Sequence, residues 1–312
     1  MAVIYPWLQA VEAEFAERMQ RERLPHALLL SGPEGTGKLA LATGFIASLL
    51  CLNSTHPACG SCRSCQLLSS GAHPDRHIVT YEEHPNTGDL RKELVIGQIR
   101  TLISSLCLTN SISERKAALI HPVESMNRHT ANALLKTLEE PPGNTVLMLV
   151  SHDPSRLPAT IRSRCQNLHV RPPESEKSME WLCRTCEAGR EEAEAALEAA
   201  AGSPLRARRM LTDGTTDQYR MVTATLDNLH LGAIGAGSAM AALADVDPVM
   251  LWSWVSLRTA GRMKREMNDG ETVKRLSQLQ SRADWNRKLV STPVRKDLLL
   301  QDWLIQWSRL RA

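Results

Sequence analysis

A chain of 312 residues, 43% hydrophobic and 23% charged, has the balance of a soluble globular protein and room for two or three domains. No apolar run approaches the ~18 residues of a membrane span, and the N-terminal MAVIYPWLQAVEAEFAERM has early acids and no basic leader, so the cytoplasm is the expected compartment. The net charge of +3 is confined to residues 213–312, with 14 Lys/Arg against 11 Asp/Glu; this permits a nucleic-acid-facing surface without arguing for one.

The elements follow in chain order. Residues 6–23 read as an amphipathic helix with Trp7, Val11, Phe15 and Met19 on one face. ALLL at 27–30 is a short buried strand, and a helix runs from Lys38 to Cys51. The cysteine-rich stretch 51–73 reads as an irregular insert. A strand at His77–Tyr81 follows, then a helix over 93–107 through Val95, Ile99, Leu102 and Leu106; Cys107 reads as core. Ala117–Ile120 is a third strand, Met126–Glu140 a helix stopped by Pro141-Pro142, Val146–Val150 a fourth strand and Asn167–Val170 a fifth. Short apolar strands alternating with helices predict a parallel sheet covered on both faces, an α/β P-loop domain over 1–170. Three short helices are expected over 171–212, with Gly202 as a C-cap, and a helical region over 213–312. Five of the seven tryptophans lie there, at 252, 254, 285, 303 and 307, and are expected in a helical core or an interface.

Three stretches carry chemistry. GPEGTGK places Gly32, Gly35, Gly37 and Lys38 in the G-x-x-x-x-G-K pattern between a strand and a helix, where backbone N–H groups cradle phosphates and Lys38 adds charge. The next position is Leu39, where the pattern needs a hydroxyl for Mg²⁺. The second Mg²⁺ position, after the third strand, holds His121 and Pro122 in place of an acidic pair; Glu124 lies two residues on and is expected to face elsewhere. His121 reads first as a structural residue, not a base. Cys51, Cys59, Cys62 and Cys65 are spaced to surround one metal, and their order favours structural Zn²⁺ over an iron–sulfur cluster or free thiols. Cys183 and Cys186 read as unpaired thiols. Arg164, within Ser163-Arg164-Cys165, reads on its own as a surface arginine.

GPEGTGK, the four-cysteine insert, His73-Pro74-Asp75, NALLKTLEEPP at 132–142, DPSRLPATIRSRC at 153–165 and AGSP at 201–204 occur in one order over about residues 25–205. Together they resemble the clamp-loader subunits of bacterial DNA polymerase III, an AAA+ family. That family has ATP-hydrolysing motor subunits (gamma/tau) and a delta-prime type that keeps the fold, the zinc site and Ser-Arg-Cys but cannot hydrolyse ATP. Leu39, His121 and Pro122 place this chain with the second type. The complete Gly37-Lys38 pair leaves ATP or ADP binding open. The motors' lid arginine corresponds to Leu205, with Arg206 one position later, which reads as a further loss.

The resemblance implies a heteropentameric ring with gamma/tau and delta subunits. The ring would act on the sliding clamp and primer-template DNA, without a membrane. It implies a lid over 171–212, an oligomerisation collar over 213–312, and Arg164 as an arginine finger reaching a neighbour's ATP. Two other readings are an active P-loop motor with unusual Mg²⁺ ligation and a zinc-containing nucleic-acid-binding module. The even charge of residues 1–212 speaks against the latter.

Overall fold

Five strands form one parallel sheet in a computed structural model that describes residues 5–84 and 88–310. The chain divides into two compact units, Met1–Lys177 and Ser178–Ala312. In the first, α1 (Gln9–Gln20) precedes β1 (Ala27–Ser31), α2 (Lys38–Leu50), α3 (Arg63–Ser70), β2 (Arg76–Val79) and α4 (Ile96–Cys107). Then come β3 (Lys116–Ile120), α5 (Arg128–Glu139), β4 (Thr145–Ser151), α6 (Ala159–Arg162) and β5 (Gln166–His169).

The sheet order is β2-β3-β4-β1-β5, every pairing parallel. Every residue of β1, β3 and β4 is buried, as strands covered on both faces require. The edge strands β2 and β5 are partly exposed. Alternate strand residues serve opposite faces. Leu29, Ala118, Ile120, Leu147 and Leu149 meet Ile99 and Leu102 of α4 and Leu134 and Leu138 of α5 in one core. Because the strands are parallel, the C-terminal ends of β1, β3 and β4 lie on one side; Ser31 stands opposite Ser151, and Ile120 opposite Leu149. That side is where an open α/β sheet binds ligands.

The stretch 51–73 is less irregular than expected. It contains α3, capped by the Cys62 side chain. Cys107 is exposed, not core. Leu106 carries the buried stripe, and the next residue turns ~100° away from it.

The second unit is helical. It comprises α7 (Ser175–Cys186, which spans the boundary), α8 (Arg190–Ala199), α9 (Pro204–Thr212), α10 (Thr215–Leu231) and α11 (Ala236–Ala242), then α12 (Pro248–Arg265), α13 (Gly270–Leu289) and α14 (Lys296–Ser308). Its core is built on indoles. Trp252, Trp254, Trp303 and Trp307 are buried, with Trp303 and Trp307 stacked at 5.2 Å and Trp252 edge-on to Trp303 at 6.3 Å. A buried indole N–H needs an acceptor. Trp254 donates to Ala199 O, Trp303 to Leu279 O and Trp307 to Leu226 O, at 2.9–3.1 Å. Trp285 lies outside this core and is 60% exposed, which leaves it the interface alternative. Gly202, at φ 78°, donates its N–H to Leu197 O and closes α8. Among the described residues, no helix is long and apolar enough to cross a membrane.

Candidate functional site

The phosphate-loop sequence leaves β1 through Gly32 and enters α2 at Lys38. Gly32 has φ 145°, and a Cβ there would come within 2.1 Å of Val170 O, so only glycine fits between β1 and the chain leaving β5. Gly35 has φ 73° and Gly37 φ 91°. A Cβ on Gly37 would strike the Tyr5 ring at 2.5 Å. The segment before α1 covers the loop: Tyr5 stacks on Trp7 at 5.2 Å, and the Trp7 indole donates to Thr36 O at 2.8 Å. No sequence pattern announced this cover, because it joins residues far apart in the chain.

Lys38 is 2% exposed and its ammonium donates to Gly32 O at 2.6 Å and to Pro33 O. Burial pushes it down to about 8, with Glu124 and Glu34 pulling the other way, so it remains a cation at neutral pH. Leu39 is 41% exposed and offers no oxygen.

His121 follows β3 and His152 follows β4, with their rings edge to face at 5.1 Å. Burial first, then the adjacent His152, holds His121 below the ordinary histidine range; burial and then Lys38 do the same to His152. Both are therefore mainly neutral at pH 7. Glu124 corrects the sequence expectation. The short 3₁₀ turn Val123–Ser125 carries it back to the sheet edge, where its Oε1 accepts the His152 backbone N–H at 2.8 Å and its charge reaches Lys38. Two carboxylates therefore act on Lys38, Glu124 tied to the His152 backbone and Glu34 within the loop itself, while the two positions directly after β3 hold His121 and Pro122 in place of an acidic pair.

The four cysteines converge. Cys51 ends α2, Cys62 caps α3 and Cys65 lies in its first turn. Their four sulfurs all lie within 4.8 Å of one another, with Cys51–Cys62 at 4.0 Å and Cys59–Cys65 at 3.9 Å. Thiolates at ~2.3 Å from one tetrahedral ion stand ~3.8 Å apart, so this donor set fits a closed four-sulfur metal site. Backbone N–H groups of Cys62 and Cys65 point at Cys59 and Cys62 sulfurs at 3.4 and 3.5 Å, which favours thiolates.

His73-Pro74-Asp75 fastens this insert to the sheet. Asp75 is 1% exposed and accepts the backbone N–H groups of Ser111, Ile112 and Ser113 at 2.7–2.8 Å. Its own N–H donates to His73 Nδ1 at 3.1 Å, so the ring proton sits on Nε2, beside Ser64 Oγ at 2.9 Å. The Ser64 and Ser113 hydroxyls both donate to Leu50 O, next to Cys51. Burial works to raise the Asp75 carboxyl, but the N–H groups of Ser113, Ser111 and Ile112 outweigh it and hold it below the usual range. A depressed folded-state value contributes stability above the unfolded value of ~3.9, lost as pH falls through the folded one. Asp75→Ala strands three N–H donors and is expected to cost ~3 kcal/mol of unfolding free energy at pH 7. Its deficit against the parent should shrink below about pH 4. Urea melts at both pH values check this, and an equal deficit at both would contradict it.

Arg164 lies just after α6, between two anchors. Ile161 is fully buried, and Cys165 packs on the main core, where burial pushes its thiol up to about 12. The arginine between them projects outward with a third of its side chain exposed.

Sheet, loop and cysteine insert define a P-loop protein of the AAA+ clamp-loader kind. Residues 7–174 match the family described as DNA polymerase III, delta subunit. The DNA polymerase III subunit delta-prime of Pseudomonas aeruginosa is 37% identical over 98% of this chain and 90% of its own length. That of Escherichia coli is 35% identical over 64% of this chain and 58% of its own length. A tau/gamma subunit of Haemophilus influenzae is 34% identical, over 50% of this chain and 22% of its own length. Among solved structures, a DNA polymerase III gamma subunit-related protein from Thermotoga maritima aligns with TM-score 0.52 and 17% identity over 95% of this chain and 99% of its own, a likeness of fold. The chain belongs to the delta-prime family of DNA polymerase III subunits.

Proposed function

We propose that this chain is a non-hydrolysing member of a clamp loader, working in the cytoplasm with gamma/tau motor subunits and a delta subunit to place the sliding clamp on primer-template DNA. The observation that carries the reading is the loss of both Mg²⁺ positions within a complete sheet: Leu39 on α2 and His121-Pro122 after β3. The Lys38 ammonium, bonded to its own loop, and the Tyr5–Trp7 cover support a loop kept for architecture. Whether ATP or ADP enters, His121-Pro122 supplies no acidic pair after β3 to drive its cleavage.

Residues 1–170 then form the AAA+ domain, 171–212 a lid and 213–312 a collar helping to hold the ring. Cys51, Cys59, Cys62 and Cys65 hold structural Zn²⁺, with no open position for catalysis. Arg164 faces the ATP of a neighbouring motor subunit. There a guanidinium offsets charge developing on the γ-phosphoryl oxygens as the neighbour's bound water attacks.

One observation favours a second reading. Glu124 lies within electrostatic reach of Lys38 and has one buried oxygen without a hydrogen bond, which an active motor would need. Clamp loading by a reconstituted complex, with and without this chain, tests the proposal. Loading is expected to require it, and undiminished loading without it would overturn the assignment.

A further inference from the structure

Glu139 ends α5, in the stretch NALLKTLEEPP, 25 residues before Arg164. The Arg164 Nε–H donates to Glu139 Oε1 at 2.6 Å, and its Nη2 pairs with the same oxygen. Nη1 donates to Thr160 O at 2.9 Å, one turn back along the chain. A guanidinium holds five N–H donors in one plane. Glu139 takes the side edge formed by Nε and Nη2. Thr160 O takes one of the two Nη1 hydrogens. Two N–H donors, one on each Nη, have no partner among the described residues. Paired N–H donors in one guanidinium plane are what match two phosphate oxygens.

We infer that Glu139 is a positioning residue, gripping Arg164 through Nε and Nη2 so that the remaining N–H of each Nη is left for a phosphoryl group. The inference rests on the reading of Arg164 as an arginine finger. It gives one acid of the Glu139-Glu140 pair a role that its neighbour, with no bond to Arg164, lacks. Both partners are substantially exposed, so the pair adds little to stability and its removal leaves the fold intact. What removal changes is orientation: a long side chain with many rotamers loses two of its three restraints.

The test uses the loader reconstituted with motor and delta subunits, clamp and primed DNA. ATP turnover is measured for Glu139→Ala, Glu139→Gln, Glu140→Ala, Arg164→Ala and the Glu139→Ala/Arg164→Ala pair. A misplacement of ~1 Å costs on the order of 10²-fold at its own site, and because the ring's other sites keep turning over, total kcat is expected to fall by about 1.5- to twofold. KM for ATP is expected to stay unchanged. Glu139→Gln keeps an accepting oxygen and restores most of the rate, Glu140→Ala matches the parent, and the double variant equals Arg164→Ala alone. A further loss from Glu139→Ala in the Arg164→Ala background would show that Glu139 acts elsewhere and overturn the inference. So would an unchanged rate in Glu139→Ala, or a raised one, which would make Glu139 a competitor for the guanidinium. If Arg164→Ala itself changes nothing, the finger reading fails and takes this inference with it. If Arg164→Ala lowers the rate and Glu139→Ala does not, only the positioning role fails.

Discussion

Arg164→Ala is expected to fold as the parent does and to lower the DNA-stimulated ATPase of the assembled loader. The folding half follows from position. The side chain is outside the core, and its ion pair with Glu139 is a surface contact worth ~0–1 kcal/mol. Ile161 and Cys165, which hold the segment in place, are untouched. The rate half follows from charge: a trans guanidinium on a transferring phosphoryl group is worth ~10³–10⁵ in well-studied GTPases, so the site it faces falls nearly silent. Arg164→Lys is not expected to rescue, because an ammonium is a point charge without the planar fork. The measurement is steady-state phosphate release with clamp and primed DNA, beside melting curves of the isolated chain. A full rate in Arg164→Ala would contradict the assignment.

Removing metal from the cysteine cluster, or changing Cys62 to Ala, is expected to unfold the insert and lower the melting temperature sharply. Cys62 does two jobs: its sulfur belongs to the four-sulfur cluster, and it accepts the Cys65 N–H at the start of α3. Structural zinc contributes ~10–16 kcal/mol in isolated fingers, while a domain's whole stability is ~5–15 kcal/mol. Even a third of that would be a large fraction. The insert is also held by Asp75 and His73, so the damage should stay local to 51–73 while β1, β3 and β4 remain paired. Metal analysis, melting with and without a chelator, and hydrogen exchange over the insert check this. A chelated protein with unchanged melting and unchanged insert protection would refute a structural metal.

Much of the α/β unit was legible because its signals are local. The runs ALLL, AALI and VLMLV are short and wholly apolar, and all three are central strands. GPEGTGK and the cysteine spacing are chemistry written in consecutive residues. What escaped depends on neighbours in space. Glu124 was expected to face away, since counting along a strand cannot show a 3₁₀ turn folding it back onto the His152 N–H. Trp285 looked like its fellow tryptophans. The buried stripe of α13 runs through Leu276, Leu279, Ala283 and Asn286, and residue 285 is turned ~100° off it. Asp75 lay in a recognisable motif, but its three N–H donors come from residues 111–113, more than thirty residues on in the chain, before the neighbouring strand β3. The Tyr5–Trp7 cover and the Glu139 grip on Arg164 are likewise long-range, and no period encodes them.

A complete AAA+ sheet without an ATPase is the reading proposed for this chain. It is tested most directly by incubating the purified chain with ATP and Mg²⁺ and following phosphate release. None above background is expected, whether or not nucleotide binds, because Leu39 and His121 leave the Mg²⁺ without its protein ligands. Sustained release that disappears in Lys38→Ala would contradict it and make this chain a motor.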